Sequence, residues 1–453
     1  MARIHPASAL PRRVLAAVGL TVLAGAYLLV RRVEAGAGPP GGPAPAFGTL
    51  YTAMFGWLAW RTVLAYCERP HRADPAGQAA LDRAHVAVLV PVFNEDPGWL
   101  RRCLASLLAQ SRPPDAVHVV DDGSKVDYRR EREWFRAACR DAGVAVSWQR
   151  TPNRGKRAAQ LLAAGRAPEA DFFLTIDSDT DLDTEAVAEL LRPFADPRVQ
   201  SVAGVVLAAN AEKNLLTRCT DLYMTVWQLN ERSAQSVLGS VLVNTGVLAA
   251  YRAAVVREHA RAYLGETFLG RPVVFSDDSM LTLFAKLRGR TVQQPSALGL
   301  AAMPETLDHH LRQQLRWMRG SAIRTCWRLR YLPLTGYAFW LQAAHLFTAA
   351  TGGVLFLWLF LWQPFTVGVP LWLLLVVPTV ISYVEALRYL TVRRHGHPLR
   401  RQLAVLALAP LTLLWGMTVL RALKWYGALT CARTGWGTRQ DVELALSVPP
   451  VDR

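Results

Sequence analysis

The sequence predicts an α/β domain with a mostly parallel sheet, inserted between membrane-spanning helices. Between residues 84 and 330, short apolar runs rich in β-branched residues alternate with helical stretches, a pattern typical of βαβ units. Longer apolar stretches flank this region, and hydrophobic residues make up 52% of the chain, above the usual content of soluble proteins. Arginine pairs lie beside those stretches, as basic residues do where membrane segments meet anionic lipid.

Residues 1–70 are predicted to form a pair of transmembrane helices. Val14–Val30 and Phe47–Tyr66 are each near the ~17–25 residues needed to cross a bilayer. A Gly/Pro-rich link from Ala35 to Pro45 is predicted to be a loop between them. The first stretch follows a basic segment, as a signal peptide does, but Arg31-Arg32 closes it without a clear cleavage site. We therefore expect an uncleaved anchor.

Within residues 84–330, short apolar runs are predicted to be the strands of the sheet. They are Val86–Val90, Ala116–Val120, Val144–Trp148, Phe172–Ile176 and Val202–Leu207. In open α/β sheets, ligands bind beyond the carboxyl ends of the strands. The acidic motifs of this chain follow such ends, so they are the candidates for the binding site.

Residues 331–430 are predicted to return to the membrane, beginning with Tyr337–Trp362 and Val369–Leu390. The link Gln363–Pro370 carries no charge and is expected outside the cell. The loop Thr391–Arg401 carries four Arg and two His, so it is expected in the cytosol.

The last apolar segment, Leu403–Leu429, contains Pro410, Arg421 and Lys424. We expect it to bend near the proline and return, because this path keeps the two basic residues near the interface. Residues 431–453 would then be a cytosolic tail. A kinked but complete crossing is the alternative.

The formal net charge of +16 raises the question of nucleic acid as a partner. Many of the arginines lie beside apolar segments and no nucleic-acid motif is present, so we expect a lipid bilayer as partner and no nucleic acid. The six cysteines lack C-x-x-C or zinc spacing, which predicts reduced thiols.

Two polar turns that follow predicted strands suit a nucleotide. In Phe93-Asn94-Glu95 the aromatic ring and its polar neighbours suit a base, although a plain strand exit produces the same string. In Asp121-Asp122, followed by Gly123, a carboxylate suits the imide N–H of uracil and the glycine permits a tight turn.

A third turn, Asp177-Ser178-Asp179, follows the run Phe172–Ile176. Two carboxylates at a strand end suit Mg²⁺ or Mn²⁺ bound to a nucleotide diphosphate, because hard cations prefer oxygen ligands. Acidic turns after strands are common, so this motif gains meaning only together with the others.

Two further strings are placed at predicted helix starts. Lys156, in Asn153–Arg157, suits a diphosphate at a helix N-terminus, with a solvated basic face as an equal alternative. The pair Asp277-Asp278 offers a base for an acceptor hydroxyl, and one of the two can also cap the following helix.

Gln313, Arg316 and Trp317 follow helical spacing and are predicted to share one face. A tryptophan ring stacks on a pyranose, and the two polar side chains can bind hydroxyls or phosphates. An amphipathic interfacial helix is the alternative. The string Trp436-Gly437-Thr438-Arg439 follows the last apolar segment and alone would be a flexible tail.

Together these strings resemble the processive, inverting glycosyltransferases of family 2, most strongly hyaluronan synthases and chitin-oligosaccharide synthases. The resemblance extends from about Val14 to Arg439. It is carried by Asn214–Thr217, Asn230–Ser236, Asp277-Asp278 with Leu281-Thr282, the Q-x-x-R-W string ending at Trp317, and the terminal W-G-T-R.

The resemblance implies a role for each matched residue. Asp121 and Asp122 would contact uridine, and Lys156 would contact the diphosphate. Asp177 would bind the nucleotide and the metal, Asp179 would bind the metal, and Asp278 would be the base. The acceptor site would be lined by Gln313, Arg316 and Trp317, and the donor would be covered by Trp436, Thr438 and Arg439.

The resemblance further implies a multi-pass protein of the cell membrane with a cytosolic nucleotide-sugar-binding domain. It would extend a β-linked polysaccharide from UDP-sugars, UDP-GlcNAc and/or UDP-GlcA, with Mg²⁺ or Mn²⁺, and export the product. The alternatives are a nonprocessive glycosyltransferase acting on a lipid-linked acceptor and a UDP-sugar-sensing membrane protein without catalysis.

This sequence departs from the family pattern at several positions. Phe93 stands where many relatives have Tyr, Ser276 where Gly is usual, and Ser279 where Arg is usual. Asn244-Thr245-Gly246 stands where a Cys- or Ser-containing turn is common. These changes bear on the sugar and the product length more than on the reaction class.

Overall fold

A mixed sheet carries the α/β domain in the computed structural model, which describes residues 4–5, 11–36, 44–357, 371–394 and 398–434. Within these residues the sheet has eight strands. Their bounds are β1 (Val86–Val92), β2 (Ala116–Asp121), β3 (Ala145–Arg150), β4 (Phe172–Ile176), β5 (Thr180–Leu182), β6 (Val199–Ala208), β7 (Leu248–Arg252) and β8 (Arg290–Ala301). The predicted strands correspond to β1, β2, β3, β4 and β6; the sequence analysis missed the other three.

The strand order confirms the prediction of a mostly parallel sheet. The order is β3-β2-β1-β4-β7-β6-β8-β5. Strands β3, β2, β1 and β4 are parallel neighbours, and β6 pairs in parallel with β8. The two exceptions are β7, antiparallel to both β4 and β6, and β5, antiparallel to β8. The carboxyl ends of β2, β1 and β4 therefore lie side by side.

Helices cover both faces of the sheet. They are α3 (Pro75–Arg83), α4 (Pro97–Leu108), α5 (Arg129–Ala142), α6 (Lys156–Ala164), α7 (Ala186–Leu191), α8 (Leu215–Trp227), α9 (Ser233–Val237), α10 (Ala253–Leu264), α11 (Asp277–Arg288) and α12 (Leu307–Tyr331). Alternate residues of β1 point to opposite faces: Val88 belongs to one core and Leu89 to the other. Burial on both faces explains why β1 is apolar throughout.

Further helices precede and follow the α/β domain in the chain. They are α1 (Arg12–Gly36), α2 (Ala44–Cys67), α13 (Tyr337–Leu357), α14 (Leu371–Ala386), α15 (Leu399–Leu406), α16 (Ala409–Trp415) and α17 (Arg421–Leu429). In the described part of the chain, Arg12–Arg32 and Leu399–Leu429 are long and apolar enough to cross a bilayer. The predicted link Gln363–Pro370 lies outside the described residues.

The last apolar segment is interrupted near Pro410, where the sequence analysis predicts a bend. Helix α15 ends at Leu406 and α16 begins at Ala409, so the helix is interrupted directly before Pro410. At its start Arg401 contacts Glu212, with 2.6 Å between Nη2 and Oε2. At its end Thr430 Oγ1 accepts a hydrogen bond of 3.2 Å from Arg319 Nε. Both ends of the segment thus contact the α/β domain.

A charged cluster joins the flanking helices to the domain. The π-helical turn Gln228–Arg232 follows α8 directly and presents Glu231 to two of those helices. Arg61 of α2 donates to Glu231 Oε2 at 3.0 Å, and His345 Nε2 of α13 lies 2.5 Å from Glu231 Oε1. Arg61 also pairs with Glu385 of α14. This turn therefore lies where the domain meets the flanking helices.

Candidate active site

A large cavity of about 1110 Å³ lies at the carboxyl ends of the strands. Its wall combines motifs that are far apart in the chain. The predicted site residues that line it are Phe93, Asp122, Lys156, Asp177, Asp179, Asp277, Asp278, Gln313, Arg316 and Trp317. Glu95 and Asp121 are buried behind this wall. Trp436, Thr438 and Arg439 lie outside the described residues.

Glu95 and Asp121 stabilise the turns at the donor end of the cavity. Glu95 Oε2 accepts a hydrogen bond of 2.9 Å from Ser178 Oγ, inside the Asp-Ser-Asp turn. Asp121 Oδ1 accepts one of 2.9 Å from Ser124 N, and its Oδ2 lies 3.5 Å from Arg150 Nε. The structure gives both carboxylates contacts that fix neighbouring loops.

Asp122 holds the loop that begins α6. Its two carboxylate oxygens accept hydrogen bonds of 2.8 Å from the backbone N–H groups of Arg154 and Gly155. Burial raises the pKa of Asp122, and these two hydrogen bonds oppose that effect. Gly155 has φ 89°, a left-handed conformation that suits glycine. The carboxylate therefore positions Lys156, the first residue of α6.

Lys156 connects the two acidic motifs. Its Nζ lies 2.7 Å from Asp177 Oδ1 and 3.1 Å from Asp277 Oδ2. Burial opposes protonation of the amine, but the two carboxylates outweigh it and raise the pKa of Lys156. A Cβ at Gly246 would lie 3.1 Å from this Nζ, so the glycine permits the close approach. The cation therefore holds the Asp-Ser-Asp turn and the Asp277-Asp278 pair together.

Asp278 has the environment of a general base. Its Oδ1 accepts a hydrogen bond of 2.6 Å from Ser279 N, and its Oδ2 accepts one of 3.2 Å from Gly246 N. Burial, and then the charge of Asp277, raise the pKa of Asp278 to about 6. Burial also opposes ionisation of Asp277, but Lys156 outweighs it and lowers the pKa of Asp277. At neutral pH a carboxylate with the higher pKa is the better proton acceptor.

The residue before this pair adopts a strained conformation. Ser276 has φ 57°, in the left-handed region that favours glycine, the residue usual here in the family that the chain resembles. Gly320 of α12 makes room for its side chain: a Cβ at Gly320 would lie 1.7 Å from Ser276 Oγ. The serine and the glycine are therefore sterically complementary.

Helix α12 forms the opposite wall. Gln313, Arg316 and Trp317 all line the cavity, as their helical spacing predicts. The neighbouring Gln314 also lines the cavity, although it is fully buried. Among the described residues, neither amide atom of Gln314 has a hydrogen-bond partner, and the same holds for Gln313 Oε1. Buried amides of this kind suit a polar ligand, because unpaired buried groups cost free energy.

A buried carboxylate connects the two walls. Glu266 Oε2 accepts hydrogen bonds of 2.7 Å from Arg157 Nη2, next to Lys156, and of 3.1 Å from Arg324 Nη2 on α12. Arg324 Nε donates to Ser279 Oγ at 3.2 Å, beside Asp278. Glu266 thereby links the helix of Lys156 to the helix of Trp317.

Comparison with known proteins identifies the family. The family described as "Glycosyltransferase like family 2" matches residues 83–320. A hyaluronan synthase of Streptococcus pyogenes is 32% identical over 416 residues, which cover 88% of this chain and 93% of that protein. The chain belongs to glycosyltransferase family 2. The resemblance drawn from the motifs is thus confirmed, and the protein is a glycosyltransferase.

Other known proteins are similar to this glycosyltransferase over part or most of its length. An N-acetylglucosaminyltransferase of Azorhizobium caulinodans is 38% identical over 250 residues, or 54% of this chain and 62% of that protein. A mannosyltransferase of Pyrobaculum calidifontis, solved with GDP-Man and Mn²⁺, has 20% identity and a TM-score of 0.46, covering 89% of this chain and 99% of its own. The TarS protein of S. aureus, solved with UDP-GlcNAc, has 18% identity and a TM-score of 0.39, covering 77% and 91%. The family assignment rests on the sequence relatives.

The Asp-Ser-Asp turn of this glycosyltransferase offers two carboxylates that suit a divalent cation. Asp177 and Asp179 offer carboxylate oxygens to the same cavity, and the described residues form no cluster of three or more His, Cys, Asp or Glu side chains around a metal position. Mg²⁺ is often held by one or two carboxylates together with substrate phosphates. These two carboxylates therefore suit a cation that binds together with a nucleotide diphosphate.

Several residues of the site were not identified from the sequence. Glu266 and Arg324 belong to no recognisable sequence motif. They link the two walls because the fold buries them beside each other. Gln314 stands next to a predicted residue, and its buried position on the cavity wall required the structure. Tyr223 and Trp227 of α8 also line the cavity; their i, i+4 spacing was the available signal.

Proposed function

We propose that this glycosyltransferase extends a β-linked polysaccharide from UDP-sugars with inversion at the anomeric carbon. The observation that carries the proposal is the common cavity: the donor-side carboxylates, the candidate base Asp278 and the acceptor wall of Gln313, Arg316 and Trp317 all line it. Single-ligand pockets typically measure about 300–1,000 Å³. A cavity of about 1110 Å³ has room for an acceptor beside the donor.

The donor is held at the strand ends. Phe93 lies in the cavity wall, where its ring can stack on uracil, and Lys156 supplies positive charge for the diphosphate. Asp179 and Asp177 would hold Mg²⁺ or Mn²⁺, which when bound neutralises charge on the leaving diphosphate. The tail residues Trp436, Thr438 and Arg439 are proposed to close over the donor.

Asp278 removes the proton during transfer. The acceptor hydroxyl oxygen forms the new bond to the anomeric carbon as the bond from that carbon to the diphosphate breaks and UDP leaves. The hydroxyl proton passes to the Asp278 carboxylate, whose pKa of about 6 suits this step near neutral pH. Lys156 keeps Asp277 ionised beside it, and Trp317 orients the acceptor ring, so the residues act by position and charge.

The setting is proposed to be the cell membrane, with several helices crossing it and the catalytic domain in the cytosol, where UDP-sugars occur. The two long apolar helices and the hyaluronan synthase relative that aligns with 88% of the chain support this. Coupling of synthesis to export is part of the proposal and is supported by the flanking helices, and the donors are proposed to be UDP-GlcNAc and/or UDP-GlcA.

The test is product analysis with the purified full-length protein. It is incubated with single and paired UDP-sugars and Mg²⁺ or Mn²⁺, and the product is sized and digested with linkage-specific hydrolases. We expect a long glycan cleaved by a β-specific enzyme. A single sugar added to a lipid acceptor would identify a nonprocessive enzyme instead. UDP-sugar binding without UDP release would contradict catalysis and favour a sensor.

A further inference from the structure

We propose that Tyr223 and Trp227 of α8, with Gln314 of α12, form a second saccharide-binding subsite between the transfer site and the flanking helices. The proposal rests on the function proposed above and specifies where the acceptor continues beyond the sugar that reacts. All three side chains line the active-site cavity.

The packing of α8 against the C-terminal helices leaves Tyr223 and Trp227 on the side of the cavity. Tyr223 and Trp227 are one helical turn apart and share a face. The neighbouring Leu222 is buried in a different cluster, with Ala386 and Ala409 of the C-terminal helices. One face of α8 therefore packs against the flanking helices, while the next presents aromatic rings to the cavity.

The ring of Trp227 is held in place by a buried cation. The Arg232 guanidinium lies 5.6 Å from the ring centroid, a cation–π distance. Its Nη2 donates to Gly204 O at 2.5 Å and to Gln228 Oε1 at 2.7 Å, and its Nε donates to Gln293 Oε1 at 2.5 Å. A ring fixed in this way provides a flat apolar surface at little entropic cost on binding.

Gln314 adds hydrogen-bonding capacity on the same side. It lies one turn from His310 and therefore shares its face of α12. The His310 ring is 6.1 Å from the Trp415 ring of α16, and α16 packs against α8. The buried amide of Gln314, unpartnered among the described residues, thus lies on the face of α12 that is directed toward α16, the helix that packs against α8.

These features match a carbohydrate better than other ligands. A sugar ring has apolar C–H faces that stack on aromatic rings and hydroxyl groups that pair with amides. None of the three side chains carries a charge, so they suit a neutral sugar ring better than the charged diphosphate. Trp227 also directly precedes the π-helical turn whose Glu231 contacts Arg61 and His345. A saccharide bound here would lie on the way from Trp317 to the flanking helices.

The test compares Trp227→Ala with the conservative Trp227→Phe. The matched control is Trp134→Ala, because Trp134 is also half-buried beneath an arginine, with the Arg101 guanidinium 4.5 Å from its centroid, and does not line the cavity. Binding of chitotetraose and of a hyaluronan tetrasaccharide to the purified full-length proteins is measured by calorimetry, and UDP binding is measured in parallel.

We expect Trp227→Ala to weaken binding of the better tetrasaccharide by about 2- to 12-fold, the loss of one aromatic contact. Trp227→Phe should recover most of this affinity, and Trp134→Ala and UDP binding should not change. Equal tetrasaccharide affinity in Trp227→Ala and Trp134→Ala would overturn the subsite, as would wild-type protein that binds neither saccharide. Parallel loss of UDP binding in Trp227→Ala would assign Trp227 a purely structural role. Failure of the proposed function has a separate signature, since wild-type protein would then make no glycan from any UDP-sugar.

Discussion

Replacing Asp278 by Asn removes the proposed base and keeps its volume. The amide oxygen can still accept from Ser279 N or Gly246 N, but the NH₂ group cannot accept a proton. Loss of a general base typically lowers the rate about 10²–10⁴-fold. We therefore expect this loss in glycan synthesis with UDP-sugar binding retained, measured as UDP release and as product mass.

The pH dependence of the wild-type enzyme provides an independent measure. Burial and Asp277 raise the pKa of Asp278 to about 6, so about nine-tenths of the base is ionised at pH 7 and about one-tenth at pH 5. The rate should fall about tenfold between these values. Asp277→Asn removes the charge that raises this pKa, so any residual activity should have its acid limb at lower pH.

Asp278→Asn should also make the protein more stable. The pKa of Asp278 in the folded state lies above its ordinary value of 3.8, so the unfolded chain releases this proton more readily. Folding stability is therefore lost as pH rises from about 4 to 6. Asp278→Asn avoids this cost, and we expect it to raise the free energy of unfolding at pH 7 by about 1–3 kcal/mol.

Thermal unfolding in detergent at pH 4 and pH 7 measures the difference, which should shrink at the lower pH. The reasoning about Asp278 is refuted if Asp278→Asn polymerises at the wild-type rate. It is also refuted if Asp277→Asn shows the expected loss while Asp278→Asn does not, since the two roles would then be exchanged.

Four further substitutions test the metal, the packing and the topology. Asp179→Asn should abolish transfer without unfolding the protein, and a chelator should do the same to the wild type; activity indifferent to either would contradict the metal assignment. Ser276→Gly should raise the melting temperature by removing a strained φ that costs about 1–3 kcal/mol. Gly320→Ala should lower it through the clash with Ser276 Oγ, and the double variant should recover, whereas additive effects would argue against direct complementarity. Val451→Cys, with the native cysteines removed, should resist impermeant thiol reagents in intact cells, and labelling from outside would refute a cytosolic tail.

Much of the parallel part of the sheet could be predicted because its strands are continuous apolar runs. Strand β8 could not be predicted, because it contains Gln293 and Gln294. Their side-chain amides are buried and form hydrogen bonds with residues that are far away in the sequence. Gln293 Nε2 donates to Glu68 Oε1 at 3.0 Å, and Gln294 Nε2 donates to Glu189 Oε2 at 2.8 Å. Polar residues whose hydrogen-bond partners lie more than 100 positions away give no local signal for a strand.

The candidate site shows the same division between local and distant information. Helical spacing placed Gln313, Arg316 and Trp317 on one cavity wall, because three residues on one helix depend on local geometry alone. The contact of Lys156 with both Asp177 and Asp277 depends on the relative positions of one strand and two helices. The sequence indicated which residue types were available, and the fold determined which of them meet.

The carboxylate of Glu266 has a consequence for the proposed extension of a polysaccharide. It binds Arg157 on the donor helix and Arg324 on the acceptor helix, and breaking a buried ion pair by removing one partner costs about 3–5 kcal/mol. Sliding α12 past α6 once per added sugar would break such contacts at every cycle. In the proposed function the two helices would therefore form a rigid template. The saccharide itself would move by one sugar length along a stationary wall as each new unit is added.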